Sequence, residues 1–163
     1  ETTMSGAKLT SITIRGYRSI RECSVDLHNV NILMGPNGAG KSNFISSFSL
    51  IQNILSYNLQ ITVSRCGISA MLYNGMKTAR SVSMEAVFGE NSYGFVLEPT
   101  DDQRMMFAEE YFRWNGADSK SVFERGHFES VWEKGVGNRA DGHAVPVLDA
   151  KSWRVYHFHD TTR

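Results

Sequence analysis

Val30-Asn31-Ile32-Leu33-Met34-Gly35-Pro36-Asn37-Gly38-Ala39-Gly40-Lys41-Ser42-Asn43 is the stretch on which the reading of this chain turns. A short apolar run enters a glycine-rich turn, and a helical pattern opens directly behind it. Gly35, Gly40, Lys41 and Ser42 stand at the G-x-x-x-x-G-K-[ST] spacing of a phosphate-binding P-loop. The residue types fit that chemistry. Gly35, Gly38 and Gly40 let the backbone turn tightly and present consecutive N–H groups to phosphate oxygens. The start of a helix adds its positive end behind them. Lys41 supplies a point charge for the β- and γ-phosphates, and the Ser42 hydroxyl is a ligand for the Mg²⁺ that bridges them.

A chance glycine turn ahead of a helix would match the same spacing, so the flanks matter. Val30 to Met34 reads as a buried strand. Phe44, Phe48, Ile51 and Leu55 recur at helical spacing and predict a helix from Lys41 to about Leu55 with one buried face. Loop and flanks together make Gly35, Pro36, Asn37, Gly38, Ala39, Gly40, Lys41, Ser42 and Asn43 the expected nucleotide site, with ATP and Mg²⁺ as cofactors.

Composition frames that reading. The chain has 163 residues, enough for one domain with a sizeable core. Hydrophobic residues make up 41% and charged residues 21%, the balance of an ordinary globular protein. Seventeen basic residues offset seventeen acidic ones, so any nucleic-acid contact has to come from a local patch. Cys23 and Cys66 have no metal-type spacing and read as thiols in a reducing compartment. No apolar run approaches the roughly 20 residues of a membrane span and no signal peptide opens the sequence, so the expected location is cytoplasmic, with no membrane partner.

In order along the chain, residues 1–7 read as a leader or expression remnant. Leu9 to Tyr17 alternates as a strand, Gly16-Tyr17-Arg18-Ser19 breaks it, and Cys23 to Leu27 forms a second strand. Strands ahead of the first long helix imply an antiparallel layer beside the P-loop sheet. Residues 59–80 read as a loop with one short helix. Val82 to Phe88 and Tyr93 to Leu97 alternate as a hairpin across Gly89-Glu90-Asn91-Ser92. Met105 to Trp114 reads as a further strand of that meander. Ser121 to Glu133 reads weakly as an amphipathic helix interrupted at Gly126, and 134–144 as a glycine-rich mobile loop.

The run from Leu9 to Ile20, then the strand and Gly35-Pro36-Asn37-Gly38-Ala39-Gly40-Lys41-Ser42-Asn43 with its helix, resembles the ATPase heads of the RecF/SMC/OLD group, which are ABC-type P-loop ATPases. The likeness covers residues 9–56. Asn43 after Lys-Ser is typical of that group. The resemblance implies that Arg18 and Ser19 lie near the nucleotide. From its residue type alone Arg18 is equally an ordinary surface arginine, although its fixed donor fork suits a phosphate.

A second likeness lies at Tyr156-His157-Phe158-His159-Asp160-Thr161, which is similar to a segment of ATPases encoded in bacterial anti-phage operons, including Septu and retron-associated ATPases. There it occupies the Q-loop position. His157, His159 and Asp160 thereby become candidate nucleotide-side residues. Two other readings of the histidines stay open: a packed, hydrogen-bonded pair, or a metal pair lacking a third ligand in sequence reach.

Two expected motifs are absent from the sequence: an apolar strand ending in Asp-Glu, and a Ser-Gly-type signature for a partner's γ-phosphate. Val145-Pro146-Val147-Leu148-Asp149 only imitates the first, because Pro146 interrupts it and Ala150 replaces the glutamate. No catalytic residue is therefore assigned, and the chain reads as the N-terminal portion of a longer ATPase. The expected fold is α/β: the N-terminal lobe of an ABC-type P-loop NTPase head, with a mixed sheet around the P-loop helix and an adjoining antiparallel β meander. Its parts are a P-loop sheet over 8–58, a loop over 59–80, the meander over 81–116, an insert over 117–150 and the Q-loop-like segment over 151–163. The expected activity is ATP binding and, in the whole protein, hydrolysis, serving anti-phage defence or DNA repair and maintenance. Implied partners are a second head sandwiching ATP, a protein effector such as a nuclease, and DNA. The alternative is a non-catalytic nucleotide-binding assembly module.

Overall fold

The computed structural model describes residues 8–114, 120–123, 125–137, 150, 153 and 154. Six strands form one antiparallel sheet: β1 (Leu9–Tyr17), β2 (Ile20–Asp26), β3 (Val82–Phe88), β4 (Asn91–Pro99), β5 (Met105–Arg113) and β6 (Ser121–Val122), in the order β2-β1-β3-β4-β5-β6. Between β2 and β3 the chain builds α1 (Lys41–Leu55), α2 (Leu59–Cys66) and α3 (Ile68–Met71), and α4 (Trp132–Gly137) follows β6. The result is a mixed α/β domain whose described sheet is antiparallel throughout.

Alternation, most regular along β3, makes one face of this sheet the core. Ile12 and Ile14 on β1 are fully buried, as are Val82 on β3, Leu97 on β4 and Phe107 on β5. Each such side chain contributes roughly 1.5–3 kcal/mol by leaving water. α1 adds Leu50, Ile51, Ile54 and Leu55 to the same core. The helix is therefore turned slightly from the expected face. Phe44 and Phe48 are only half-buried and pack edge-on to each other at 5.5 Å, with Trp153 against Phe48 at 5.5 Å.

The outer face is polar and cross-linked. Thr13 and Ser24 hydroxyls bond across β1–β2 at 3.0 Å, and Arg15 pairs with Glu22 at 2.8 Å. Gly94 has a steric reason to be glycine, since a Cβ there would lie 2.4 Å from the Tyr111 ring, which lies across the strand.

Several expectations need correction. Val30 to Met34 is not a buried strand. It is irregular and unpaired, with Val30, Ile32 and Met34 78%, 80% and 88% exposed. No described strand runs alongside it, and a strand without neighbours has neither a ladder nor a covering layer. The mixed sheet around the P-loop helix is therefore absent from the described residues. Residues 59–71 form two helices where one was expected. Ser121 to Glu133 is not a helix: β6 pairs with β5, and 125–131 then crosses back over the sheet before α4 begins. α4 also takes in the first residues of the expected glycine-rich loop, to Gly137.

Candidate functional site

Gly40 sits at φ +90° immediately before α1, and its carbonyl accepts the first helical bond from Phe44 N–H at 2.8 Å. Gly35 and Gly38 are also at positive φ, +153° and +83°. Gly38 has open space where a Cβ would be, so conformation rather than crowding calls for glycine there. Ala39 N–H closes a tight turn onto the Pro36 carbonyl at 3.2 Å. Asn37 lies within that turn. The chain thus doubles back and enters the helix with its N-terminal N–H groups at the turn.

Lys41 reaches back over the loop. Its Nζ donates to the carbonyls of Gly35 at 2.6 Å and Pro36 at 2.7 Å. That places a positive charge against the glycine turn, next to the positive end of α1. Ser42 is exposed in the first helical turn. Glycines at positive φ, a lysine ammonium and an adjacent free-standing hydroxyl make a donor set that fits a Mg²⁺-bound phosphate chain. Ser42 is the residue of this set that would hold the metal.

The turn between β1 and β2 comes up beside this loop. Asn43 Nδ2 donates to Ser19 Oγ at 2.7 Å, and a Cβ on Gly40 would meet the same Oγ at 3.2 Å. Below them the Tyr17 and Ser46 hydroxyls are 3.2 Å apart, and Ser46 Oγ donates to the Asn43 carbonyl at 2.8 Å. Burial pushes the Tyr17 phenol above its usual range. Arg18 takes φ +52°, its N–H donates to the Met71 carbonyl at 2.9 Å, and its buried Nε has no acceptor among the described residues. Arg18, Ser19 and Asn43 line one pocket of about 430 Å³ with Ser69, Leu72 and Asn74. On the other side of the loop, Ser19, Arg21, Leu33, Met34, Gly40 and Lys41 line a second pocket of about 370 Å³. Residues 18, 19 and 40–43, more than twenty positions apart in sequence, are thereby brought together around one loop.

Trp153 is held against the same helix. Gln52 Nε2 donates to its carbonyl at 2.8 Å, and its ring stacks on Phe88 at 6.2 Å. His157, His159 and Asp160 lie outside the described residues, as do residues 145–149. Among the described residues there is no group of three or more His, Cys, Asp or Glu suited to a metal ion, and no helix long and apolar enough to cross a membrane.

One polar cluster escaped the reading of the sequence. Glu110 is fully buried in β5. Its Oε1 accepts from Tyr93 Oη at 2.7 Å and from Ser130 Oγ, and its Oε2 accepts from Val131 N–H at 2.9 Å and His127 Nε2–H at 2.9 Å. Burial, then the Glu110 charge, drive the Tyr93 phenol well above its usual value. Nearby, the Glu129 carboxylate caps α2 by accepting from Leu59 and Gln60 N–H, each at 2.9 Å. The segment 127–132 is thus strapped to both the sheet and α2. Period-two counting from Phe107 points Glu109 inward, not Glu110. The register shift between Val96 and Leu97 leaves Ala108 as an extra residue in β5 and reverses the alternation.

A family model described as an AAA ATPase domain matches residues 8–130. No curated protein matches the chain significantly.

Proposed function

The chain belongs to the AAA ATPase domain family, and from that premise we propose that it is the ATP-binding lobe of an ABC-type head. Within this reading the head is of the RecF/SMC/OLD group and serves bacterial anti-phage defence or DNA maintenance. The observation that carries nucleotide binding is the local geometry of residues 35–43: three glycines at positive φ lead into α1, Lys41 is folded over the turn, and Asn43 is tied to Ser19. The antiparallel sheet packed on α1 supports an ABC-type lobe. The likeness of Tyr156 to Thr161 supports the defence assignment.

In this assignment ATP supplies a phosphoanhydride whose binding and cleavage change how heads associate. The backbone N–H groups of 38–42 and the Lys41 ammonium hold its phosphates, Ser42 holds Mg²⁺, and Arg18 and Ser19 approach from the β1–β2 turn. Heads joined around ATP form a homo-oligomer in the cytoplasm and restrain a protein effector such as a nuclease. His157, His159 and Asp160 report occupancy from the Q-loop position. The second reading is a non-catalytic nucleotide-binding assembly module that uses ATP only to order its surface. Phosphate release measured on the longest natural open reading frame discriminates the two, because this chain alone is expected to bind ATP without turning it over under either reading.

Lys41→Ala tests the site itself. Removing one member of a desolvated charged contact costs roughly 2–5 kcal/mol. Titration with a fluorescent ATP analogue in Mg²⁺ is expected to show affinity weakened well over tenfold, with an unchanged melting temperature. Equal affinity in variant and parent refutes the site.

A further inference from the structure

Asn43 is fastened to β1 and its turn twice. Its side-chain amide donates to Ser19 Oγ at 2.7 Å, and its carbonyl accepts from Ser46 Oγ at 2.8 Å. Ser46 Oγ in turn lies 3.2 Å from the Tyr17 hydroxyl. This second connection has a fixed direction. A carbonyl oxygen only accepts, so Ser46 gives its one hydroxyl proton to Asn43, and the Tyr17 O–H must then donate to Ser46. The line continues through two peptide units. Phe44 N–H shares its peptide with the Asn43 carbonyl and donates to the Gly40 carbonyl at 2.8 Å. The other end of that Gly40 peptide is the Lys41 N–H. Lys41 is the first residue of α1, so this N–H has no acceptor within the helix. Tyr17 is a rigid starting point for the line. It is only 2% exposed, and the backbone on either side of it is held, by Tyr73 N–H on the Gly16 carbonyl at 2.8 Å and by Arg18 N–H on the Met71 carbonyl at 2.9 Å.

We propose that Tyr17 and Ser46 are positioning residues for nucleotide binding: their hydroxyls fix the Asn43 peptide and, through Phe44 N–H and the Gly40 carbonyl, aim and polarise the Lys41 N–H for a phosphate oxygen. The inference rests on the nucleotide-binding reading of residues 35–43. Every donor in the line points the same way, and hydrogen bonds in series strengthen one another where water is excluded. A donor aimed before the ligand arrives needs no reorganisation when it binds. Packing alone selects neither residue. Phenylalanine fills the place of Tyr17 without a hydroxyl to satisfy, and a serine within a helix competes for backbone carbonyls. The two hydroxyls make sense together, as one connection from the sheet to the start of α1. Burial raises the Tyr17 phenol, so the proton that starts the line stays on its oxygen at neutral pH.

The test reads two quantities on the full chain: the amide proton resonances of Lys41 and Phe44 by NMR without nucleotide, and the affinity for a fluorescent ATP analogue in Mg²⁺. Tyr17→Phe is expected to move both resonances and to weaken the analogue roughly three- to tenfold, the range set by one lost hydrogen bond. Tyr17→Phe with Ser46→Ala, which leaves no buried phenol unpartnered, weakens it further. Ser46→Thr keeps the hydroxyl and retains the parent's affinity. Tyr93→Phe removes another buried phenol, the one bonded to Glu110 at 2.7 Å, and changes stability without moving either quantity. A parent that does not bind the analogue overturns the nucleotide reading and this inference with it. A parent that binds, with Tyr17→Phe matching it in affinity or in the Lys41 resonance, overturns this inference alone. So does an equal loss of affinity in Tyr93→Phe.

Discussion

Glu110→Ala and Glu110→Gln should differ sharply, and the difference can be worked out from the four donors around the carboxylate. In the alanine variant the Tyr93 and Ser130 hydroxyls can rotate toward other acceptors. Val131 N–H is fixed by the backbone, and the His127 ring is stacked on Phe107 at 4.6 Å, so neither can turn away. Each buried donor left without an acceptor costs roughly 1–3 kcal/mol, so the pair costs about 4 kcal/mol before any cavity term. That is a large share of a typical stability of roughly 5–15 kcal/mol. Glutamine behaves differently. With its oxygen at the Oε2 position it still accepts from Val131 and His127. Its NH₂ then meets two hydroxyls, which can reverse and accept. All four contacts survive at a cost of about 1 kcal/mol. Urea unfolding followed by tryptophan fluorescence measures both, and a shifted midpoint at constant m-value reports stability alone. Equal losses in the two variants would refute this account, because the negative charge itself, and not acceptor geometry, would then be what holds the strap 127–132 to the sheet.

Ser42→Ala is expected to reduce the gain in ATP affinity on adding Mg²⁺ while changing little in EDTA; equal effects in both conditions exclude a metal role. Tyr111 gives a pH prediction. Burial, and then the Glu85 charge, push its phenol up to about 12. A raised folded-state pKa means the stability is fully present below the ordinary tyrosine value near 10 and is lost as pH rises through about 12. Tyr111→Phe should flatten the stability curve across that alkaline window, read by denaturant midpoints at successive pH values; an unchanged slope sinks the assignment.

The sheet was legible because its strands obey period two over a polar outer face: Val82-Met84-Ala86-Phe88 bury alternately as their spacing requires. The glycine turn into α1 was legible because Gly35, Gly38 and Gly40, set just ahead of a helical pattern, are the residues that take positive φ without strain. What was not legible depended on distant partners. An apolar run such as Val30 to Met34 looks the same whether or not strands flank it. Glu110 was hidden by one extra residue, which changes parity without changing composition. The strap over 125–131 resembles a broken helix because its anchors, Glu129 on α2 and Trp132 Nε1 on the Leu55 carbonyl at 3.2 Å, act across some seventy positions of chain. Ser19 beside Gly40 came only from the family likeness, since no local periodicity links a β-turn to a helix start.

The glycine turn is anchored on one side only. α1 grips its outgoing end with helical hydrogen bonds, whereas its incoming end, residues 30–34, has no ladder partner among the described strands and is held only by local bonds: the Asn31 side chain to the His28 backbone, Lys41 Nζ to the Gly35 and Pro36 carbonyls, and Ala39 N–H to the Pro36 carbonyl. A tether free at one end retains conformational entropy that any phosphate ligand must remove on binding. Whatever pairs with 30–34 removes that entropy beforehand. Strand pairing and ligand affinity are then two faces of one coupling free energy, and by reciprocity a bound anion must strengthen the pairing as much as the pairing strengthens the anion.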